Sequence, residues 1–182
     1  MTSSSHKLPI IFSFFLALVS FTTVNGDLID TVCAKTLRPA SCQQTLRSDP
    51  RSTTADLKGL GLVSVDIATK QAISGKALAQ GLLNVNFDQR VKSAISSCLE
   101  KYDDSVFYLG QCSESLRSGN YGGLNFEASS AGNSIGACED GFADLPKPEP
   151  RQLETANSNL QGVCDIVLVI SNLLFKAKRF IN

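Results

Sequence analysis

The sequence contains no tryptophan, and its only histidine, His6, lies in the first 26 residues. A Ser-His-Asp triad, a Cys–His pair and an HExxH zinc motif all need histidine as a base or a ligand. These chemistries are excluded once the N-terminal stretch is removed. A two-carboxylate glycosidase needs no histidine, but without tryptophan it would lack the usual aromatic platform for a sugar. The composition therefore disfavours an enzyme.

Other motifs are also absent from the sequence, and each absence disfavours a class of function. No Cys-x-x-Cys pair occurs, which removes support for a redox motif or a zinc knuckle. No Asn-x-Ser/Thr sequence occurs, so no N-glycan is expected. No loop offers alternating oxygen ligands for calcium. The 17 Lys and Arg residues equal the 17 Asp and Glu residues in number. We therefore expect no metal, no cofactor and no nucleic-acid partner.

Long apolar runs are scarce, and the clearest one is N-terminal. Lys7 precedes LPIIFSFFLALVSF, and the small residues of VNG follow. This order predicts a secretory signal peptide over 1–26, cut after Gly26. An uncleaved signal anchor is the alternative, although the run is short for a membrane span. We expect no second run of spanning length, hence a secreted protein with no membrane partner. The basic stretch KAKRF near the C-terminus is interpreted as a short solvated tail.

All six cysteines follow the predicted signal peptide. They are Cys33, Cys42, Cys98, Cys112, Cys138 and Cys164. In an oxidising compartment an even number indicates disulfides. Two short helices folded back at Pro39 would bring Cys33 and Cys42 within the roughly 7 Å that a disulfide needs between Cα atoms.

Apolar residues recur at helical spacing through 27–182, which predicts an all-α fold. A helical hairpin is expected over 27–48. The next helix is expected to be capped by Ser52, Thr53 or Thr54, with Asp56 in its first turn. Its expected apolar stripe is Leu57, Leu60, Ser64, Ile67, Gln71, Ser74 and Leu78.

Two later segments have more continuous apolar stripes than the first bundle helix. The first comprises Val91, Ala94, Ile95, Cys98, Tyr102, Ser105, Val106, Leu109, Cys112 and Leu116. The second comprises Leu153, Leu160, Val163, Cys164, Val167, Ile170 and Leu174. A segment rich in Ala, Ser and Gly lies between them. Four long helices with short connections predict an up-down-up-down four-helix bundle over 51–175, preceded by the N-terminal α-hairpin.

Three carboxylates stand close to a cysteine in the stretch CLEKYDD, residues 98–104. Glu100 and Asp104 are four residues apart, so they share one face of a helix. Phe107 extends that face. An acidic patch with an aromatic edge, carried on rigid helices, is a good surface for binding a protein. A plain solvated face is the alternative.

A second acidic pair follows Cys138. If Cys98 pairs with Cys138, the disulfide brings Glu139 and Asp140 towards the Glu100 side of the bundle. The five residues Glu100, Asp104, Phe107, Glu139 and Asp140 then form the candidate binding surface.

The chain resembles the plant invertase and pectin methylesterase inhibitor family over essentially all of 27–182. The resemblance rests on an ordered set of motifs. These are the pair Cys33/Cys42, SDPRSTTADLKGLGLVSVDIA, CLEKYDDSV, SGNYGGLNFEAS, ACEDGF and CDIVLVISNLL. It implies a hairpin followed by a four-helix bundle, with disulfides Cys33–Cys42 and Cys98–Cys138. It also implies no catalytic activity, and binding to a cell-wall enzyme whose substrate cleft is blocked.

The family has two branches. Its invertase inhibitors commonly carry Pro-Lys-Phe at the entry to the third bundle helix, where this chain has GNYGGLNF. Its pectin methylesterase inhibitors resemble SG-D/N-Y-x-x-LN there and often end in C-x-IVLVISNLL. The resemblance thus implies an apoplastic pectin methylesterase inhibitor that forms a 1:1 complex. An inhibitor of cell-wall or vacuolar acid invertase is one alternative, and a secreted helical lipid carrier is another.

The resemblance also assigns individual residues. It places Glu100, Asp104 and Asp140 at the enzyme-facing surface. Phe107 stands where an acidic residue is usual, and Ala137 where a small hydroxyl residue is usual. The family domain also occurs fused to a methylesterase, and the end at Asn182 is interpreted as a stand-alone inhibitor. A monomer is expected, with a hairpin-swapped dimer as the alternative.

The last two cysteines are expected to be free thiols. Cys164 matches a position that is usually a free thiol in the methylesterase branch, and Cys112 is an addition of this chain. Both fall on apolar stripes, so buried and inert thiols are expected. A Cys112–Cys164 bridge is disfavoured because their helix levels differ.

Overall fold

The computed structural model describes residues 27–146 and 148–180, so the predicted signal peptide, 1–26, lies outside the described residues. All regular elements in the described part are helical, which confirms the predicted all-α class. The six helices are α1 (Leu28–Cys33), α2 (Pro39–Arg47), α3 (Leu57–Leu82), α4 (Gln89–Ser118), α5 (Tyr121–Asp140) and α6 (Arg151–Arg179). A short 3₁₀ turn covers Pro50–Thr53.

Three of the bundle helices begin at an Asp or Asn side chain. The Oδ1 atoms of Asp56, Asp88 and Asn120 accept hydrogen bonds from backbone N–H groups three residues on, at 2.7, 3.1 and 3.1 Å. Such caps satisfy N–H groups that have no partner within the helix. The expected cap of the first bundle helix at 52–54 is therefore wrong. Pro50 starts a 3₁₀ turn that occupies 50–53, and Asp56 caps α3 instead.

The four long helices form a closed ring. Each of α3, α4 and α5 packs on the next helix, and α6 packs back on α3. The connections span 83–88, 119–120 and 141–150, and the tightest uses Gly119 in a left-handed conformation with φ 72°. Short connections make successive helices antiparallel. The predicted up-down-up-down bundle is confirmed.

The N-terminal hairpin packs on α6 and on α3. The Cys33–Cys42 disulfide closes it, with 5.4 Å between the Cα atoms. Asp165 of α6 accepts a hydrogen bond from the Leu37 backbone N–H at 2.7 Å, and Arg38 donates to the Ser158 hydroxyl at 2.6 Å. The hairpin predicted from Pro39 is thus present and is fastened to the last helix.

The expected stripes of α4 and α6 coincide with their buried faces, except that Val106 is only half-buried. The stripe expected on α3 is partly wrong. Ser74 is exposed, and Ile67 and Gln71 are half-buried. The buried face runs instead through small residues: Gly61, Ser64, Ala68, Ala72, Gly75 and Ala79. The reason is steric, because large side chains of neighbouring helices fill the space above this face.

One helix of the described part, α6, is long and apolar enough to cross a membrane by length and composition alone. This differs from the expectation that no second run of spanning length follows the N-terminal one. Ten residues of α6 are buried, and the helix packs on α3 and α5. Its apolar face is therefore accounted for by the core of the bundle, where a central helix has the same composition as a membrane span.

Gly75 of α3 leaves room for the Tyr102 side chain of α4. A Cβ atom on Gly75 would lie 2.6 Å from the Tyr102 hydroxyl oxygen. We expect Gly75→Ala to lower the free energy of unfolding by about 1–3 kcal/mol, because a packed tyrosine must move. Urea denaturation measures the change.

Gly81 provides the matched control on the same helix. A Cβ atom there has nothing within 4 Å, so Gly81→Ala should be neutral or stabilising by about 0.5 kcal/mol. Equal stability of the two variants would contradict the packing described here.

Candidate functional site

The outer face of α4 carries the first part of the predicted binding surface. Glu100, Asp104 and Phe107 are all exposed there, while Tyr102 and Cys98 point into the core. The Phe107 side chain is 62% exposed, and its ring meets the edge of Tyr108 with 5.5 Å between centroids. An aromatic ring held in place but left in solvent suits contact with another protein.

The carboxylates on this part of α4 are partly neutralised. Asp103 forms an ion pair with Lys76 of α3 at 2.5 Å, and Asp104 meets Lys101 at 3.5 Å. Glu100 has no ion pair among the described residues. Exposed pairs of this kind contribute little to stability. Glu100 and Asp104 therefore remain available to a basic or hydrogen-bonding partner.

The Cys98–Cys138 disulfide fastens this face to α5. The two Cα atoms lie 4.7 Å apart, and both cysteines are buried. The predicted pairing is confirmed. It fixes the level at which the C-terminal turn of α5 lies beside the CLEKYDD segment of α4.

Glu139 and Asp140 lie next to the disulfide on α5, but their side chains face α6 rather than α4. Glu139 accepts a hydrogen bond from Gln161 of α6 at 3.0 Å. Asp140 is exposed and lines a groove between α5 and α6 that also includes Leu37. The five predicted residues therefore occupy two neighbouring faces joined by the disulfide. Glu139 and Asp140 end α5, whereas Glu100, Asp104 and Phe107 follow α4 from the disulfide to beyond the middle of that helix.

A buried polar network lies directly below this disulfide. The Tyr102 hydroxyl donates to Asn157 Oδ1 at 2.5 Å, and both residues are fully buried. Asn157 Nδ2 donates to Glu149 Oε1 at 2.7 Å and lies 3.2 Å from Cys138 Sγ. The network links α4, α6, the 141–150 connection and the disulfide in one chain of contacts.

Glu149 is the titratable member of this network. Partial burial raises the pKa of its carboxyl group from 4.5 to about 7, and the neighbouring charges of Glu139 and Glu154 act in the same direction. The hydrogen bond from Asn157 opposes the shift. The connection before α6 is therefore held by a carboxyl group that titrates near neutrality.

Asn157 is the one residue of this network that stands out in the sequence. Asn157 lies on the α6 stripe between Leu153 and Leu160, where an apolar residue is the usual choice. A polar residue at such a position predicts a buried hydrogen-bond partner. Glu149 had no comparable signal, because it lies between two prolines in a linker whose path the sequence does not fix.

The two remaining cysteines are free and buried, as expected. Burial is the main cause that raises the pKa of both Cys112 and Cys164 to about 12. A thiol rather than a thiolate is then present at neutral pH, and thiols are poor nucleophiles. Both side chains are structural.

The cavity beside the hairpin is relevant to the alternative of a lipid carrier. The cavity between the hairpin and the bundle has a volume of about 310 Å³. Its lining is mainly polar and includes Thr36, Arg38, Ser41, Thr45, Gln71 and Asn159. Such a lining does not suit an acyl chain. Among the described residues, no group of three His, Cys, Asp or Glu side chains is arranged to bind a metal.

The chain is similar in sequence to proteins of one known family. The profile of the plant invertase/pectin methylesterase inhibitor family matches residues 27–170. A pectinesterase inhibitor of Actinidia deliciosa is 45% identical over 149 residues, which cover 82% of this chain and 80% of that protein. The cell wall/vacuolar inhibitor of fructosidase 2 of Arabidopsis thaliana is 26% identical over 152 residues, 82% of this chain and 84% of that protein.

A solved structure shows the same architecture. The crystal structure of a mutant form of a pectin methylesterase inhibitor from Arabidopsis matches with a TM-score of 0.72 and 28% identity. The match covers 80% of this chain and 95% of that one. The chain belongs to the plant invertase/pectin methylesterase inhibitor family, and the relatives reported above are named as inhibitors rather than as enzymes.

Glu149 predicts a pH dependence of stability. Because its pKa is higher in the folded chain than the ordinary 4.5, the folded state holds more protons between about pH 4.5 and about pH 7. The free energy of unfolding therefore falls as pH rises through this window. The side chain introduced by Glu149→Gln does not titrate, so this variant lacks the pH-dependent contribution of Glu149 to the free energy of unfolding. After allowing for solvent screening, we expect the variant to be more stable by about 1 kcal/mol above about pH 7, and equal near pH 4.

Urea unfolding between about pH 4 and about pH 8 measures this difference. Glu114→Gln, at an exposed position near the C-terminal end of α4 and away from Glu149, is the control and should keep the parental pH profile. A Glu149→Gln profile parallel to that of the parent across the whole range would contradict the assignment.

Proposed function

We propose that this protein is a secreted inhibitor of plant pectin methylesterase. The observation that carries the proposal is the 45% identity to a pectinesterase inhibitor over most of both chains. The matched fold of a pectin methylesterase inhibitor supports it. The relative named for fructosidase is more distant, at 26% identity.

The inhibitor acts by covering the substrate cleft of the enzyme. Its exposed carboxylates on α4 are arranged along one helix rather than across a cleft. The proposed docking surface lies around the Cys98–Cys138 disulfide and continues along α4. It comprises Glu100, Asp104 and Phe107 on α4 and Glu139 and Asp140 on α5.

Each part of the docking surface has a distinct role. Phe107, with its exposed ring, is the apolar anchor that becomes buried in the complex. Glu100 and Asp104 flank it with negative charge, which steers association with a positively charged partner. Asp140 extends the surface to the α5–α6 groove. Glu139, tied to Gln161, orients this edge.

A 1:1 complex with a monomeric inhibitor is part of the proposal. One continuous surface can fill one cleft, and a stable interface of this type buries about 1,600 Å² in total. A hairpin-swapped dimer is the alternative state of the inhibitor.

Secretion to the apoplast is part of the proposal. The apolar run after Lys7 has the order of a signal peptide, with cleavage after Gly26. Two disulfides in the described part are typical of an oxidising compartment. A pectin methylesterase inhibitor would meet its target in the cell wall.

The target is tested by an activity panel. We expect the oxidised protein, purified from the medium of a secreting host, to abolish pectin methylesterase activity at a stoichiometric dose and to leave plant acid invertase active. Loss of invertase activity alone would assign the chain to the other branch of the family.

The docking surface is tested by charge reversal. Glu100→Lys combined with Asp104→Lys should weaken inhibition by about 30-fold or more, the size of a hot-spot effect. The inhibition constant against pectin methylesterase is the measurement, and circular dichroism checks that the variant stays helical.

A matched variant introduces two lysines on α3 instead, at the exposed positions Ser74 and Gln80. Ser74→Lys with Gln80→Lys should inhibit like the parent. Unchanged inhibition by the folded α4 variant would place the docking surface elsewhere.

A further inference from the structure

We propose that the opposite end of the bundle binds an anionic polysaccharide chain. This basic end is formed by the start of α3, the α4–α5 turn and the end of α6. Its five basic side chains are Lys58, Arg117, Lys176, Lys178 and Arg179. They come from three distant segments and meet because the helices are antiparallel. The sequence alone showed only the last three, which were interpreted as a solvated tail.

The cations of the basic end are unpaired within the described part of the chain. None of the five forms an ion pair with a carboxylate there. Lys58 donates to the backbone carbonyl of Arg117, and Lys178 to that of Gly119, both at 3.1 Å. By contrast, the Arg47 and Arg51 side chains each contact two carboxylates.

Few carboxylates oppose this charge. Asp56 accepts the capping hydrogen bond of α3 from Gly59. Glu127 accepts a hydrogen bond from Ser115 at 2.9 Å. Glu114 lies one turn before Arg117 on α4. The positive charge of the basic end therefore exceeds the negative charge around it.

The excess of positive charge at the basic end differs from the charge of the chain as a whole. The whole chain has equal numbers of basic and acidic residues. Around the Cys98–Cys138 disulfide and the end beyond it, the carboxylates of Glu100, Glu139, Asp140, Asp144, Glu149 and Glu154 outnumber the cations of Arg90, Lys92 and Arg151. The bundle is thus polarised along its length, and a polyanion is attracted to one end while the other stays free for the enzyme.

The shape of the basic end favours a chain-like ligand. Two grooves, of about 440 and 570 Å³, share Gly119, Tyr121 and Lys178 in their linings. Lys178 lies over the Tyr121 ring at 5.8 Å, and Phe175 is 48% exposed beside the first groove. Grooves with aromatic rings and flanking cations fit a row of sugar rings that carry carboxylates. A flat lipid surface would contact only their rims.

The choice of polysaccharide rests on the proposed function. Hydrolysis of a pectin methyl ester releases methanol and leaves a galacturonate carboxylate on the polymer. De-esterified pectin is therefore the polyanion that accumulates around an active pectin methylesterase. Binding to it would hold the inhibitor where its target works.

Binding is tested without any enzyme present. The probe is polygalacturonate immobilised on a sensor surface, with the full chain expressed in a secreting host as the analyte. We expect the parent protein to bind polygalacturonate and not fully methylesterified homogalacturonan. Raising NaCl from about 50 to about 500 mM should weaken binding strongly, because salt screens exposed charges.

Two charge-matched variants locate the site. Lys176→Gln, Lys178→Gln and Arg179→Gln together should weaken binding at least tenfold, in keeping with roughly fivefold for each basic residue near an anionic surface. Lys35→Gln, Arg90→Gln and Lys92→Gln remove the same charge elsewhere and should leave binding within about twofold. Equal losses in both variants, or no binding by the parent, would overturn the proposal.

Two further measurements distinguish polysaccharide binding from membrane binding and from the proposed inhibition of the enzyme. Binding to vesicles of phosphatidylserine and phosphatidylcholine without binding to polygalacturonate would assign the basic end to membranes and overturn the proposal. Inhibition of pectin methylesterase in solution should be unchanged in the α6 variant. A protein that inhibits but does not bind polygalacturonate would contradict only the present inference, whereas the reverse would contradict the proposed function.

Discussion

The contact on which the structure depends most is the one between the Cys98–Cys138 disulfide and the polar network below it. A buried tyrosine hydroxyl and a buried asparagine amide are costly unless each finds a partner. Tyr102 and Asn157 satisfy each other only when α4 and α6 keep one relative position. Glu149 then fixes the start of α6, and the disulfide fixes the end of α5. Three helices are thereby held in register at the end that presents the docking surface.

Small residues make this register attainable. Gly75 lets the Tyr102 ring lie against α3, and a Cβ on Gly61 of α3 would lie 3.0 Å from a methyl carbon of Leu116. Close helix contact and satisfied polar groups reinforce each other, because a wider gap would break the hydrogen bonds at the centre. The outcome is a rigid scaffold that carries carboxylates around the Cys98–Cys138 disulfide and, at its other end, five cations that have no ion pair among the described residues.

Much of the fold could be predicted from the sequence, and the exceptions have physical reasons. The α4 and α6 stripes were readable because large apolar residues mark their buried faces. The α3 face was misjudged because glycine and alanine are buried there, and small residues give no clear hydrophobic signal. Asp56 was placed inside the helix because the 3₁₀ turn of Pro50 is not visible from propensity. For the site, Glu100, Asp104 and Phe107 were found on one face, whereas the Glu139 contact with Gln161 depends on tertiary packing.

Hydroxyl-radical footprinting of the inhibitor, alone and saturated with pectin methylesterase, tests the central claim most directly. Phe107 reports on the proposed docking surface of α4 and Phe175 on the basic end, with 62% and 48% of their side chains exposed. We expect oxidation of Phe107 to fall strongly in the complex, while that of Phe175 stays at its free value. Protection of Phe175 with Phe107 still reactive would show that the enzyme binds the basic end, and would contradict the account.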